Sequence, residues 1–117
     1  SEACDAAPGI AAFVLKRAMA LFEAGDVAEA RQALAGLVRK YPAYAEAGNA
    51  LAAVSFSSGD QGEAGAALAR VSRSQGDEQD QALRWPRAYA QDRKWTPRLT
   101  EAFADLCASQ RGILRVV

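Results

Sequence analysis

The residues best equipped for chemistry in this 117-residue chain cluster in one stretch: Arg84, Trp85, Arg87, Tyr89, Arg93, Lys94, Trp95 and Arg98. Basic side chains interleaved with aromatics can neutralise phosphates and stack bases. The rest of the chain argues against that use. Its 14 basic residues are balanced by 14 acidic ones, whereas a surface built to grip nucleic acid carries a basic excess. Trp85, Tyr89 and Trp95 are expected to pack locally, with the arginine stems over apolar surface and their heads in water. Asp77, Glu78 and Asp80 lie one or two helical turns away and are expected as ionic partners. The set Arg84, Trp85, Arg93, Lys94, Trp95 and Arg98 therefore reads as a secondary patch for an acidic protein, with nucleic acid the weaker candidate.

Catalytic equipment is sparse. The chain has no histidine, which removes the commonest general base and a favoured zinc ligand. Cys4 and Cys107 have no CxxC partner, and no phosphate-binding glycine loop is present. Gly59, Gly62 and Gly65 are evenly spaced, but the last two are expected to permit close helix contact. Glu23, Glu46 and Glu101 are scattered, with no convergent pair. No catalysis, cofactor or metal site is expected.

The two cysteines stand near opposite ends. Cys107 falls on the apolar stripe Leu99, Ala102, Phe103, Leu106, where a thiol behaves as a small buried hydrophobe. In an open stack of helices the ends lie several spacings of ~8–10 Å apart, and a disulfide needs Cα atoms within ~7 Å. Two thiols, or a link between chains, fit this pattern better than an intramolecular bridge.

The elements that must carry these residues are helical. Half the chain is hydrophobic, much of it alanine, the strongest helix former. The length suits one domain with a self-sufficient core. No apolar run is long enough to span a bilayer, and no signal-peptide pattern opens the chain. The first residue is Ser1, not Met, so removal of something upstream is expected. The compartment, periplasm or cell envelope against bacterial cytoplasm, stays open.

An internal repeat organises the chain. Ala24-Gly25-Asp26-x-x-Glu29-Ala30-x-x-Ala33-Leu34 recurs as Ser58-Gly59-Asp60-x-x-Glu63-Ala64-x-x-Ala67-Leu68, each residue 34 positions from its counterpart. Gly25 and Gly59 are suited to the left-handed conformation that ends a helix. Asp26 and Asp60 are expected to cap the next helix, with Glu29 and Glu63 completing capping boxes. Ala30 and Ala64 are small enough for tight pairing. With Val14, Ala18 and Leu21 upstream, Leu51 and Ala52 in the third helix, and Pro42 at a repeat boundary, the segment from about Ala11 to Gly76 resembles two tetratricopeptide (TPR) repeats. It departs from the family pattern at Val14 and Gly48, where a large aromatic is usual, and at Arg17 and Gly76, where leucine and proline are usual. One inserted residue yields a degenerate third repeat, in which Leu99, Ala102, Phe103 and Leu106 echo Ala30, Ala33, Leu34 and Leu37.

The expected fold is all-α, a right-handed helical-hairpin solenoid of about three TPR-like repeats and six helices. Helices are expected near 8–24, 27–40, 43–57, 61–74, 78–92 and 97–110. Pro86 should kink the fifth or split it in two, and Thr96 and Pro97 should start the sixth. As one domain over 1–117, the chain divides into an N-terminal segment (1–9), repeat one (10–42), repeat two (43–76), degenerate repeat three (77–110) and an apolar tail (111–117).

The resemblance implies a protein-binding module whose first helices line a concave groove. Ile10, Phe13, Val14, Ala18 and Leu21 are assigned to the core. Leu15, Met19 and Phe22 then form a second stripe facing the groove. The equivalent positions are Asn49, Ala53 and Phe56, then Leu83, Arg87 and Ala90. The expected groove, lined by Leu15, Met19, Phe22, Asn49, Ala53, Phe56, Leu83 and Arg87, is apolar at the first repeat and more polar at the third. It suits a helix or peptide of a protein partner. The rival cover is the chain itself, its N-terminal segment or the tail Ile113 to Val117. The family's carboxylate clamp would fall on Leu15, Met19, Ala50, Asp80 and Arg84, of which only Arg84 fits. The leading role is a bacterial adaptor or assembly factor. The alternatives are a secretion chaperone sheathing an aggregation-prone subunit, or a homo-oligomeric scaffold.

Overall fold

A computed structural model describes the backbone of residues 8–116 and the side chains of residues 9–110. The described residues form seven helices: α1 (Pro8–Glu23), α2 (Val27–Lys40), α3 (Ala45–Ser57), α4 (Gln61–Ser74), α5 (Gly76–Arg84), α6 (Pro86–Asp92) and α7 (Pro97–Val116). The fold is all-helical, with α1–α2 and α3–α4 as the two hairpins of the repeat. Pro86 divides the expected fifth helix because proline has no amide hydrogen to continue the ladder. It occupies the first position of α6, where that hydrogen is not needed. The last helix runs past 110 to Val116, so the expected tail continues the helical backbone. Its side chains, like Cys4, lie outside the described residues.

Both glycine corners are left-handed, with φ of 96° at Gly25 and 88° at Gly59. The Gly25 amide donates to the Phe22 carbonyl (3.1 Å) and the Asp26 amide to Leu21 (2.9 Å). The second corner repeats this with Gly59 to Phe56 (3.0 Å) and Asp60 to Ser55 (2.9 Å). This paired closure satisfies the last carbonyls of a helix. It also corrects the expected capping boxes. The aspartate amides are already taken by carbonyls five residues back, so Glu29 and Glu63 are not needed there. Asp60 does accept from the Glu63 amide at 3.0 Å, while the Asp26 side chain makes no capping bond.

The same closure recurs at a third corner. The Lys94 amide donates to Gln91 (3.1 Å) and the Trp95 amide to Ala90 (3.0 Å). Here the left-handed residue is Lys94, at φ 60°, a conformation that costs a side-chain-bearing residue about 1–2 kcal/mol. Lys94→Gly is therefore expected to raise stability by about 1 kcal/mol, read as an upward shift of the urea midpoint.

Helix α3 is the axis of the molecule, buried without interruption from Ala47 to Ser55. Its approach to α4 depends on Gly48, where an added Cβ would sit 2.6 Å from Val71 Cγ2. The glycine at a usual aromatic position is thus the close-contact residue. Gly62 and Gly65, expected in that role, have no such neighbour: at Gly65 a Cβ would meet nothing within 4 Å. Gly48→Ala is expected to cost about 1–3 kcal/mol through overpacking. Val71→Ala should recover part of that in the double variant, measured by denaturant melts.

The third pair of helices departs from a simple stack. Helix α5 leaves α4, α6 turns back, and α7 packs against α6, α3 and α1. It lies across the first helices of the two hairpins instead of extending the row.

Candidate functional site

Helix α1 has two buried faces. Ala11, Val14, Ala18 and Leu21 share one face, with the alanines buried and Val14 and Leu21 half-buried. Leu15, Met19 and Phe22 share the next and are 2–5% exposed. On α3 the corresponding face carries Glu46, Asn49, Ala53 and Phe56. Asn49 and Ala53 are fully buried and Phe56 is half-buried. Both faces meet α7, whose Leu99, Phe103, Leu106 and Cys107 are at most 1% exposed. The expected groove lining is therefore brought together, but it is not open. Helix α7 fills it, because an apolar stripe on two adjacent helices must be covered and α7 carries a matching stripe. At the third repeat Leu83 is half-buried and Arg87 exposed. Arg87 makes a two-pronged ion pair with Glu101 of α7, at 2.8 and 3.1 Å.

Polar contacts fasten α7 in place. The Glu23 carboxylate, at the end of α1, accepts the Arg98 amide at 2.8 Å. It caps the first turn of α7, a favourable place for a negative charge, and takes the role expected of the Thr96 hydroxyl. The Arg98 guanidinium in turn donates to the Glu23 backbone carbonyl (3.3 Å). The Trp95 indole donates to Glu46 Oε2 (2.9 Å). Tyr89, Trp95 and Phe103 form an aromatic cluster with ring centres 5.4–5.7 Å apart. Beneath it lies a buried polar network. Asn49 and Gln79 exchange amide hydrogen bonds at 3.0 and 2.7 Å, and Asn49 Nδ2 also donates to the Tyr89 hydroxyl (2.9 Å). Asn49 thus pins α5 and α6 to α3, which residue type and spacing did not reveal.

The basic and aromatic patch divides into separate roles. Trp95 is 7% exposed and belongs to the core, whereas Trp85 is 63% exposed, contrary to its expected packing. Arg93 stacks on Tyr89, 3.8 Å from the ring centre, Lys94 forms the left-handed corner, Arg98 holds Glu23, and Arg84 is exposed. Among the described residues the ion pairs are Arg31–Asp60, Arg70–Glu63 and Arg87–Glu101. Asp77, Glu78 and Asp80 do not serve as the expected partners. With Tyr89 and Trp95 packed together, the patch offers one open ring, Trp85, for stacking.

A cleft of about 220 Å³ beside this cluster is lined by Tyr44, Glu46, Glu78, Gln79, Tyr89 and Arg93, among others. Burial pushes the Glu46 carboxyl up from its ordinary range, and the Trp95 hydrogen bond together with Arg93 and Lys16 only partly opposes this. An acid whose folded pKa is raised binds its proton more tightly when folded. Its stabilising effect is complete below the unfolded pKa and is lost as pH rises through the folded one. Glu46→Gln, which keeps an acceptor for Trp95, is expected to raise the melting temperature at pH 7. The gain should vanish below the ordinary carboxylate range, in melts run across pH.

Ile10 and Phe13, assigned to the core from their spacing, are 67% and 68% exposed. Among the described residues, no helix packs on that side of α1. No helix among the described residues is long and apolar enough to cross a membrane.

Residues 12–44 match the family model of the tetratricopeptide repeat, a span from Ala12 within α1 through α2 to the corner leading to α3. No curated protein matches the chain, and no solved structure does. The matched segment, its second copy 34 residues on and the all-helical fold support a TPR-type repeat architecture for this chain, and TPR repeats generally serve as protein–protein interaction modules.

Proposed function

We propose that the chain is an adaptor or assembly factor that binds a protein partner on the outside of its helix stack, with its concave face held by α7. The carrying observation is the exposure of Ile10 and Phe13, at 67% and 68%, on adjacent turns of α1. Two large apolar side chains side by side in water are a common mark of an interaction surface. The groove set Leu15, Met19, Phe22, Asn49, Ala53 and Phe56 then acts as the internal seat of α7, and Leu83 and Arg87 as its margin. A chaperone that sheathes a subunit in an open groove finds less support, since a partner there would have to displace α7. Self-association is the second reading, because Ile10, Phe13 and Trp85 are all exposed.

The test is partner recovery from the source organism with folded Ile10→Glu and Phe13→Glu variants, beside Arg73→Glu on the exposed side of α4 as a control. Loss with the first two and retention with the third supports the reading. Retention of every partner by all three removes it.

A further inference from the structure

The 34-residue period allows α1 and α3 to be compared position by position. At the start of α3 and along it, the stripe Tyr44, Ala47, Leu51 and Val54 is packed: Tyr44 is half-buried and the other three are 0–2% exposed. Helix α2 packs on α3. Tyr44 and Leu51 share with Ala35, Val38 and Arg39 of α2 a cleft of about 380 Å³ between the two hairpins. The counterparts on α1 are Ile10, Phe13, Arg17 and Ala20, and all four are exposed. Their spacing puts them on one helical face. The other faces of α1 are already covered by α2 and α7. The capping face of a helical stack is ordinarily polar; among the described residues this face of α1 carries an exposed isoleucine and an exposed phenylalanine.

Building on the outer-face reading above, we infer that this face of α1 is a stacking face that receives an amphipathic helix of a partner protein, much as α3 receives α2. Charge narrows the partner further. Arg17 stands where Leu51 lies buried in α3, and a guanidinium covered without a counter-charge is strongly unfavourable. Lys16 beside it is exposed too, and the exposed residues of α1 from 9 to 20 include no acid. The partner helix therefore brings small apolar side chains against Ile10 and Phe13 and a carboxylate against Arg17. A second copy docked through this same face would bring only further positive charge.

The probe is an added hairpin. A duplicate of residues 10–43, carrying Arg39→Glu, is inserted directly ahead of Ile10 so that the period continues and its second helix reaches α1. The expected result is a single unfolding transition at a higher urea midpoint than the parent chain, with the gain lost when Phe13→Glu and Arg17→Glu are placed in the original α1. In the parent chain the same two exposed substitutions should leave the midpoint unchanged. A duplicate that melts separately, or a gain that survives both substitutions, overturns the inference. So does a dimer of the parent chain, in sedimentation, that Phe13→Glu abolishes, since the occupant would then be a second copy. Partner recovery with Phe13→Glu is read independently. If recovery is lost there while the duplicate fails to stack, the outer-face reading stands and helix stacking falls.

Discussion

Phe103→Ala is expected to destabilise the fold by about 3–5 kcal/mol, the range for removing a buried aromatic ring. Phe103 is fully buried and packs against Tyr89 and Trp95 at centre distances of 5.6 and 5.4 Å. A domain of this size has only about 5–15 kcal/mol in total, so the urea midpoint should fall by about a fifth or more. The effect reaches beyond packing, because Phe103 belongs to the helix that closes the concave face. If α7 is a permanent wall, the variant loses midpoint while the denaturant slope, which tracks the surface exposed on unfolding, stays the same. A loss below about 1 kcal/mol, outside the range for core aromatics, would mean that α7 is peripheral. The concave face would then be available to partners, against the outer-surface proposal.

Asn49→Ala is the second large effect, expected at about 2–3 kcal/mol. Asn49 is fully buried and Gln79 is 2% exposed, so neither amide can turn to water when its partner is lost. Removing Asn49 leaves the Gln79 amide and the Tyr89 hydroxyl without the bonds they make at 2.7–3.0 Å. An unsatisfied buried group is worse than an absent one. The double replacement Asn49→Leu with Gln79→Leu should therefore be milder than the sum of the two single replacements. A double-mutant cycle from urea melts gives the coupling, and additive losses would show that the pair does not act as a unit.

The two results concern opposite sides of what residue patterns can reveal. Phe103 was readable: its stripe with Leu99, Leu106 and Cys107 follows helical spacing, and that stripe is the buried face of α7. Asn49 was read as part of a groove wall, and in the structure it hydrogen-bonds Gln79 and Tyr89. A polar residue inside an alanine-rich helix fits a groove wall and a buried crosslink equally well. The choice depends on Gln79 and Tyr89, 30 and 40 residues away. Gly48 is similar. Its departure from the repeat pattern was visible, but the reason is a Val71 methyl that would sit 2.6 Å from an added Cβ.

Ile10 and Phe13 show the same limit from the other direction. Helical spacing marks them as apolar, and apolar residues are usually covered, yet covering takes a neighbour and none of the described helices packs there. Comparison with Tyr44 and Ala47, one period on, was the available signal: the same register is packed in the second hairpin only because the first hairpin lies against it.

What residue order alone settled was local and periodic. The 34-residue recurrence, the left-handed glycine corners, the break at Pro86 and the apolar stripes all arise from neighbours a few positions apart, where backbone geometry leaves few options. Which stripe meets which helix came only from the folded chain. Burial belongs to two surfaces at once, and on the concave side the second surface is α7, placed there by how the third helix pair swings across the first two.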